Sequence, residues 1–522
     1  MPTSHRHPAL AALCALLVLV LALSAQSTRA EPEAPQNAGI EAAAAAISDA
    51  VREVQRMPGA FPAASAVVVS GEETPLLLAQ GALRAGHGDA ADANARFYIA
   101  SQTKSFVGLL AVELDAQGVL PLSTTLAEVW PDLRLPSPAE PARITLTDLL
   151  SHQAPLRTDT LNLLTAYVRE VPAADYPALL ADHTQAREPG FRYANLGYLV
   201  YGAALEARTG TPWQTHLRKH VLQPLQLRYV HARSSEVPAK VLAWNHQWDG
   251  ERWLSTPPKA DALMHAAGGL YASSADMARW LRANLRLRSP SGRPSRASFE
   301  RAQRPVVEAN LADSEFVCDG YSLGWYACGY RGHRVLMHPG SYRGAVSVSL
   351  LLPDLGAGLS FAVNSDSAIE GFALELMKAF IGLAHGDDSE LARLRQAVDA
   401  YPGRLARLVE SRREAVASAR ADPSWGGWAW KPTREELQAY VGEFESERLG
   451  RMRVQLGPDG LEAWLGAMRM QLTPAREGVF GASGSEIEVP EAVQYDAPTE
   501  SIEWRQQEFY RVPRSAGKPR TQ

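Results

Sequence analysis

Strand-like segments stand at both ends of the region from about residue 40 to residue 385, and a mostly helical stretch separates them. Two segments near its start, Ser65–Ser70 and Pro75–Gln80, flank a short turn. Four more are expected near its end, centred on Leu323, Leu336, Val348 and Phe361. Residues 101–287 are predicted to be mostly helical, and residues 288–305, rich in Arg, Ser and Pro, to form a surface loop. This order indicates a domain in which helices are inserted between the strands of a sheet.

A Ser-x-x-Lys tetrad opens the helical stretch. Ser101 and Lys104 follow a strand-like segment and begin an apolar run that ends at Gly118. Positions three apart on a helix share one face, so the Lys104 amine is predicted to lie beside the Ser101 hydroxyl. A serine hydroxyl is a poor nucleophile at neutral pH and needs such a base within reach. A second copy of the tetrad, Ser515–Lys518, lies in a polar tail, so the pattern has little weight without its context.

Two further motifs follow in order, Tyr193-Ala194-Asn195 and His338-Pro339-Gly340. Together with the tetrad they resemble the penicillin-recognising serine hydrolases, in particular the branch of class C β-lactamases, D-aminopeptidases and related esterases. Four other segments agree with this resemblance, namely Leu149–His152, Glu188–Arg192, Ala266–Tyr271 and Tyr321–Trp325. The resemblance implies an α/β (α+β) domain of the β-lactamase/transpeptidase type, with an antiparallel sheet flanked by helices, a helical lobe and a catalytic site at their junction.

The resemblance also implies roles for individual residues. Ser101 would be the acylating nucleophile, and Lys104 the amine that keeps its proton mobile. Tyr193 would carry a proton between Ser101 and the leaving group, and whether Lys104 or Tyr193 is the base stays open. Asn195 would hold Lys104 and the substrate amide.

The strand with the third motif would form the opposite wall of the site and bind substrate through His338, Gly340 and Ser341. The backbone N–H groups of Ser101 and Ser341 would form the oxyanion hole. Penicillin-active members usually have Lys-Thr-Gly at the third motif, a sequence that is absent from this chain. Histidine is mostly neutral at pH 7, so efficient β-lactam hydrolysis is not expected unless Arg343 supplies the missing cation.

The resulting prediction is a serine hydrolase that cleaves an amide or ester bond through an acyl-enzyme on Ser101, without a metal or a cofactor. The favoured substrates are small molecules or short peptides, including peptides that contain D-amino acids. A carboxylesterase and a β-lactamase remain alternatives. In a different class, so does a non-catalytic peptidoglycan-binding protein. His216 and His220 are four apart on a predicted helix but have no third ligand, so no metal site is predicted there.

The first thirty residues are typical of a secretory signal peptide. A short start with His5 and Arg6 precedes an apolar stretch at 9–23 and a small-residue cleavage pattern that ends at Ala25 or Ala30. That stretch is shorter than the roughly twenty residues of a spanning helix. We therefore expect a periplasmic or secreted protein without stable membrane insertion. The formal charge of −5 gives no reason to expect a nucleic-acid partner.

Two cysteines remain after the predicted signal peptide. Cys318 and Cys328 are ten apart and flank a strand-like segment. Because an exported protein meets an oxidising compartment, they are predicted to form a disulfide. Two free buried thiols are the alternative.

The length of 522 residues favours two domains plus a targeting segment. After the signal peptide at 1–30, the hydrolase domain is predicted at 31–387 and a helical linker at 388–431. Residues 432–513 alternate apolar and polar positions in short runs, which predicts a small all-β domain that resembles a lipocalin-like barrel. A disordered tail is expected at 514–522. Trp425, Trp428 and Trp430 either stack on a substrate or bury the linker against a domain.

Overall fold

The computed structural model describes residues 34–313, 315–458, 460–484 and 486–513. The signal peptide predicted at 1–30 and the tail predicted at 514–522 lie outside the described residues. Over the described ranges, we find no helix that combines the length and the apolar character needed to cross a membrane.

An eight-stranded antiparallel sheet forms the centre of the hydrolase domain. The first of its two N-terminal strands pairs with the last strand of the domain and the second pairs with the first, so that both ends of the region build one sheet, as the sequence predicts. In spatial order its strands are Val307–Asp313, Phe316–Tyr321, Tyr326–Tyr330, His333–Tyr342, Ala345–Leu352, Ala357–Val363, Ala63–Ser70 and Glu73–Gly81.

Both faces of this sheet are covered. Successive side chains of a strand point to opposite faces, and in the strand Ala63–Ser70 both sets are apolar and buried. Val67 and Val69 belong to the core shared with the helical lobe, whereas Ala66 and Val68 belong to the core on the other face. The predicted fold class, a sheet between helices with a helical lobe, is therefore confirmed.

Helices pack on each side of the sheet. One face carries Ala34–Gln55 and Ile369–Ala384, which also contact each other. The opposite face carries Ser274–Arg286, where Trp280 stacks on Phe106 of the helix Thr103–Ala116 at 3.7 Å between ring centroids. The other helices of the domain are Leu126–Val129, Leu146–Leu150, Thr160–Leu163, Tyr176–His183, Leu196–Thr209, Trp213–Leu217 and Arg296–Gln303. Short strands form three small sheets. One has three strands, in the order Arg96–Tyr98, Tyr271–Ser273 and Val230–His231. The other two are pairs, Leu156–Arg157 with Gln185–Ala186 and Asn245–Trp248 with Trp253–Thr256.

Two local predictions are wrong. The strand expected around Leu323 is instead the turn between the strands Phe316–Tyr321 and Tyr326–Tyr330. The loop expected at 288–305 contains the helix Arg296–Gln303, whose first turn is capped by a hydrogen bond from the Ser298 N–H to the Ser295 hydroxyl.

The helical linker packs on the hydrolase domain. Its helices Ser389–Asp399 and Tyr401–Ala421 contribute buried side chains to the core beneath the sheet, including the fully buried Tyr401. Beyond them, Trp425 is buried and stacks on Trp428 at 4.7 Å between centroids. These two rings bury the linker against the C-terminal domain.

A closed antiparallel barrel forms that C-terminal domain, because its first and last strands pair. Its strands are Gly442–Ser446, Gly450–Leu456, Leu461–Leu465, Met468–Arg476, Val479–Gly484, Ile487–Asp496, Ser501–Trp504 and Gln507–Arg511. The barrel also meets the helical lobe directly, since the Ala467 N–H donates to the Val168 carbonyl at 2.8 Å.

Cys318 and Cys328 lie opposite each other on neighbouring strands and are joined by a disulfide. Replacing both by alanine is expected to lower the unfolding free energy by about 3 kcal/mol, because the bridge restricts a short loop in the unfolded chain. Chemical denaturation of the two proteins measures the loss. Reduced and unreduced wild-type protein that unfold at the same denaturant concentration would contradict it.

Candidate active site

The predicted nucleophile lies in a rigid turn. The strand Arg96–Tyr98 leads into a single 3₁₀ turn, Ala100–Gln102, and then into the helix Thr103–Ala116. Ala100 has φ of +45°, a left-handed conformation that is costly for a residue with a side chain. The Ser105 hydroxyl donates to the Gln102 carbonyl at 2.8 Å and fixes the start of the helix. Ser101 is half-buried, and the residues on either side of it, Ala100 and Gln102, are buried.

Lys104 is fully buried beside this serine. Its Nζ lies 3.0 Å from Ser101 Oγ, 2.8 Å from Asn195 Oδ1 and 2.7 Å from the Ala267 carbonyl oxygen. These contacts include no carboxylate, and burial holds the pKa of Lys104 well below its usual value. A neutral amine has two N–H donors and one lone pair. In the neutral form, which burial favours, the two carbonyl oxygens take both donors and the lone pair is left for the Ser101 hydroxyl.

Tyr193 and Asn195 come from the loop that precedes the helix Leu196–Thr209. The Tyr193 hydroxyl hydrogen-bonds Ser101, and desolvation raises the pKa of the phenol above its usual value. The residue as a whole is 38% exposed and therefore borders open solvent. Lys104 Nζ lies 4.9 Å from the centroid of this ring. Ser101, Lys104, Tyr193 and Asn195, chosen from the sequence, are thus brought together.

His152 holds the tyrosine loop in place. Its carbonyl accepts from the Arg192 N–H at 3.0 Å, and its Nδ1 accepts from the Ala194 N–H at 3.2 Å. The imidazole lies 4.6 Å from the Tyr193 ring between centroids. Burial keeps the pKa of His152 well below its usual value, so the ring is a neutral acceptor. The sequence places this residue in a segment that matches the family and predicts that it stabilises a loop near the helical lobe, which agrees with these contacts.

His338 lies behind the tyrosine, not at the open surface. Its ring is fully buried, 6.0 Å from the Tyr193 ring between centroids. Its Nδ1 lies 2.7 Å from the Pro339 carbonyl, which can only accept, so Nε2 accepts from the Tyr321 hydroxyl at 3.2 Å. Burial lowers the pKa of His338 to about 3. Histidine is therefore neutral here at any pH near 7.

The rest of the third motif forms the wall next to the nucleophile. A Cβ on Gly340 would lie 2.2 Å from the Ile99 carbonyl oxygen, so only glycine lets this strand approach the turn that contains Ser101. Ser341 is exposed at the end of the strand. Arg343 donates through Nε to Gln247 at 2.8 Å and lines, with Ser341, a cavity of about 730 Å³.

The sequence does not indicate the Ala267 carbonyl as the third contact of Lys104, because every residue has a backbone carbonyl and the residue type does not show which of them accepts a hydrogen bond. Its segment, Ala266–Tyr271, was noticed only as a match to the family. Tyr321 and Tyr326 were also missed as aromatic support for His338, with Tyr326 at 5.6 Å from its ring.

Comparison with known proteins decides the family. A family model described as Beta-lactamase matches residues 47–382. The chain belongs to the beta-lactamase family. It is accordingly a serine hydrolase, and the three motifs all lie within the matched region.

Relatives of this beta-lactamase family member include a penicillin-binding protein and an amidase. Penicillin-binding protein 4 of Amycolatopsis lactamdurans is 29% identical over 346 residues, which cover 64% of this chain and 87% of the relative. The octameric penicillin-binding protein homologue from Pyrococcus abyssi is similar in structure, with a TM-score of 0.56, 17% identity and coverage of 90% and 99%. The D-amino acid amidase from Ochrobactrum anthropi SV3, solved with L-phenylalanine amide, gives a TM-score of 0.56 at 21% identity, with coverage of 67% and 99%.

Proposed function

We propose that this serine hydrolase cleaves amide bonds in small peptides or amino-acid amides, including those with D-residues, through an acyl-enzyme on Ser101. The observation that carries this proposal is the buried, carboxylate-free environment of Lys104 beside the Ser101 hydroxyl. The names of the relatives, a penicillin-binding protein and a D-amino acid amidase, support an amide as the bond that is cleaved.

The proposed reaction begins when Ser101 Oγ attacks the amide carbonyl and its proton moves to Lys104, directly or through Tyr193. The new oxyanion is stabilised by the backbone N–H groups of Ser101 and Ser341. Tyr193 then delivers the proton to the leaving nitrogen, and the C–N bond breaks to give the acyl-enzyme. Water attacks the ester carbonyl and loses its proton to the same base. The bond between the carbonyl carbon and Ser101 Oγ then breaks, the proton returns to Ser101 Oγ, and the acid is released.

Two other catalytic functions are less well supported. The neutral, buried His338 supplies no fixed cation for the carboxylate of a β-lactam, and Arg343 is engaged with Gln247. An esterase shares the same machinery, so only measured rates separate it from an amidase. A non-catalytic binding protein has no need for an amine that is buried and desolvated next to a serine.

Export to the periplasm or the medium is part of the proposal. The disulfide between Cys318 and Cys328 supports export, because such bonds are rare in cytosolic proteins. We propose that residues 1–30 are removed, that the mature chain is not inserted in a membrane, and that its partners are small substrates. Amino-terminal sequencing of the exported protein tests the cleavage.

The third motif gives a prediction about substrate preference. Aminoacyl amides or neutral esters should be hydrolysed with a higher kcat/KM than a chromogenic cephalosporin. The ratio of kcat/KM for the carboxylate-bearing cephalosporin to kcat/KM for the amide or ester should rise by about tenfold to a hundredfold in His338→Lys, which is the effect of one charge contact. His338→Gln, which adds no charge, is the matched control. Wild-type protein that hydrolyses the cephalosporin fastest would favour the β-lactamase alternative.

A further inference from the structure

A second buried lysine lies close to the active site, and the mechanism does not use it. Lys259 is 5% exposed, and its Nζ has no hydrogen-bond partner among the described residues. The amine lies 4.2 Å from the centroid of the Tyr342 ring and 5.5 Å from that of Tyr98. Its backbone N–H donates to the Tyr271 hydroxyl at 3.0 Å. Two tyrosine rings therefore flank an amine that has no hydrogen-bond partner among the described residues.

An amine in this position is unfavourable unless a ligand completes its contacts, because a buried polar group without a partner costs free energy. Burial lowers the pKa of Lys259 to about 7, and the negative charge of Glu486, from the barrel, opposes that change. The other titratable groups around it are His265, which is neutral through burial, and the hydroxyls of the three tyrosines. An anion bound beside the amine favours its protonated form.

This amine is separated from the nucleophile turn by a single tyrosine ring. The Tyr98 hydroxyl donates to the Gly268 carbonyl, one residue after the carbonyl that accepts from Lys104. A Cβ on Gly268 would lie 3.6 Å from both the Ala100 carbonyl carbon and the Tyr98 hydroxyl. Gly268 therefore packs next to both Ala100, the residue before Ser101, and Tyr98, whose ring flanks Lys259.

On the other side, the amine borders the wall of the cavity beside the active site. Tyr342 follows Ser341 at the end of its strand, and its ring stacks on Tyr167 at 5.6 Å between centroids. Both rings line the 730 Å³ cavity, together with Ser341 and Glu486. Lys259 therefore lies between the nucleophile turn and a cavity that is wide enough for a substrate side chain.

We propose that Lys259 is a specificity residue that binds a carboxylate on the acyl side of the substrate. The preferred substrates are then amides whose acyl residue carries an acidic side chain. This inference rests on the proposed function, because it requires an acyl group on Ser101. The carboxylate supplies the partner that Nζ lacks, and the aromatic rings exclude water from the ion pair, which strengthens it.

Glutamyl and glutaminyl p-nitroanilides, in both the D and the L series, test this inference with the mature full-length protein. The two substrates match in size and differ only in the charged group. We expect wild-type kcat/KM to be about tenfold to a hundredfold higher for the glutamyl substrate, as for one charge-assisted hydrogen bond. Lys259→Met should abolish that ratio, whereas Lys240→Met, which changes an exposed lysine, should leave it unchanged.

A pH series on wild-type protein gives a second readout that needs no variant. The glutamyl carboxylate stays ionised above pH 5, so the ratio should be constant in acid and should fall as pH rises through about 7, where Lys259 loses its proton. A ratio near one at every pH, or a ratio that survives Lys259→Met, overturns the inference. If both substrates are cleaved without preference, the proposed function still stands. If neither these substrates nor the aminoacyl amides named above are cleaved, the proposed function itself is wrong.

Discussion

Ser101→Ala is expected to reduce kcat for amide hydrolysis by about ten-thousandfold or more, because no other group replaces the attacking oxygen. The serine is held 3.0 Å from a buried amine by a turn that is fixed at both ends, so its position does not depend on substrate binding. A fluorophosphonate should add its mass to the wild-type peptide that contains Ser101 and should not label the alanine variant.

The chain contains its own control for this experiment. Ser515 begins a second Ser-x-x-Lys tetrad in the tail, which lies outside the described residues. Ser515→Ala should leave both labelling and turnover unchanged, because a tetrad needs the surrounding site as well as its spacing. Full labelling of Ser101→Ala, or loss of labelling in Ser515→Ala, would contradict the assignment of the nucleophile.

Local spacing was sufficient to predict the first part of the site. The distance between Ser101 and Lys104 follows from helical geometry, which brings positions three apart together whatever the rest of the fold does. Tyr193, Asn195 and Gly340 required the resemblance to the family, because their approach to the serine depends on contacts between distant segments. Gly340 illustrates this point, since its need for glycine comes from a carbonyl 241 positions earlier, at Ile99.

Orientation and burial were the parts that the sequence did not provide. Strand alternation places His338 and Gly340 on one face and Ser341 on the other. It does not say that the face with the histidine is buried against tyrosines. Lys259 was missed for a similar reason, because a single lysine in a loop gives no periodic signal and its aromatic surroundings come from three separate strands.

Errors in the secondary structure have comparable causes. The segment 288–305 looked like a loop because Arg, Ser and Pro dominate it, yet Phe299 is fully buried and Ser295 provides a helix cap. Leu323 is predicted to be the centre of a strand because the segment Tyr321–Tyr326 is rich in aromatic residues. It lies in a turn because Gly324, with φ of +105°, packs against the backbone of Lys104, where a Cβ would come within 2.4 Å of the carbonyl oxygen.

Replacing Lys104 distinguishes a base from a fixed positive charge. Lys104→Met should lower kcat/KM by about a thousandfold to ten-thousandfold, and the double variant with Ser101→Ala should lose little more, because the two groups act as one unit. Lys104→Arg should be as inactive as the methionine variant, since a guanidinium keeps its proton at any pH the enzyme tolerates. Circular dichroism and thermal unfolding of each variant show whether the fold is retained.

The pH dependence of the wild-type enzyme follows from the same argument. Burial lowers the pKa of Lys104, so the neutral form that accepts a proton is populated at lower pH than for an exposed lysine. On its acid limb, kcat/KM should rise tenfold per pH unit and level off above that lowered pKa, well below the value of about 10.4 for a free lysine. Measuring kcat/KM for a neutral aminoacyl amide locates the limb, because such a substrate avoids the titration of Lys259. A Lys104→Arg enzyme that keeps wild-type activity, or an acid limb centred near 10.4, would show that Lys104 acts as a charge and would leave Tyr193 as the base.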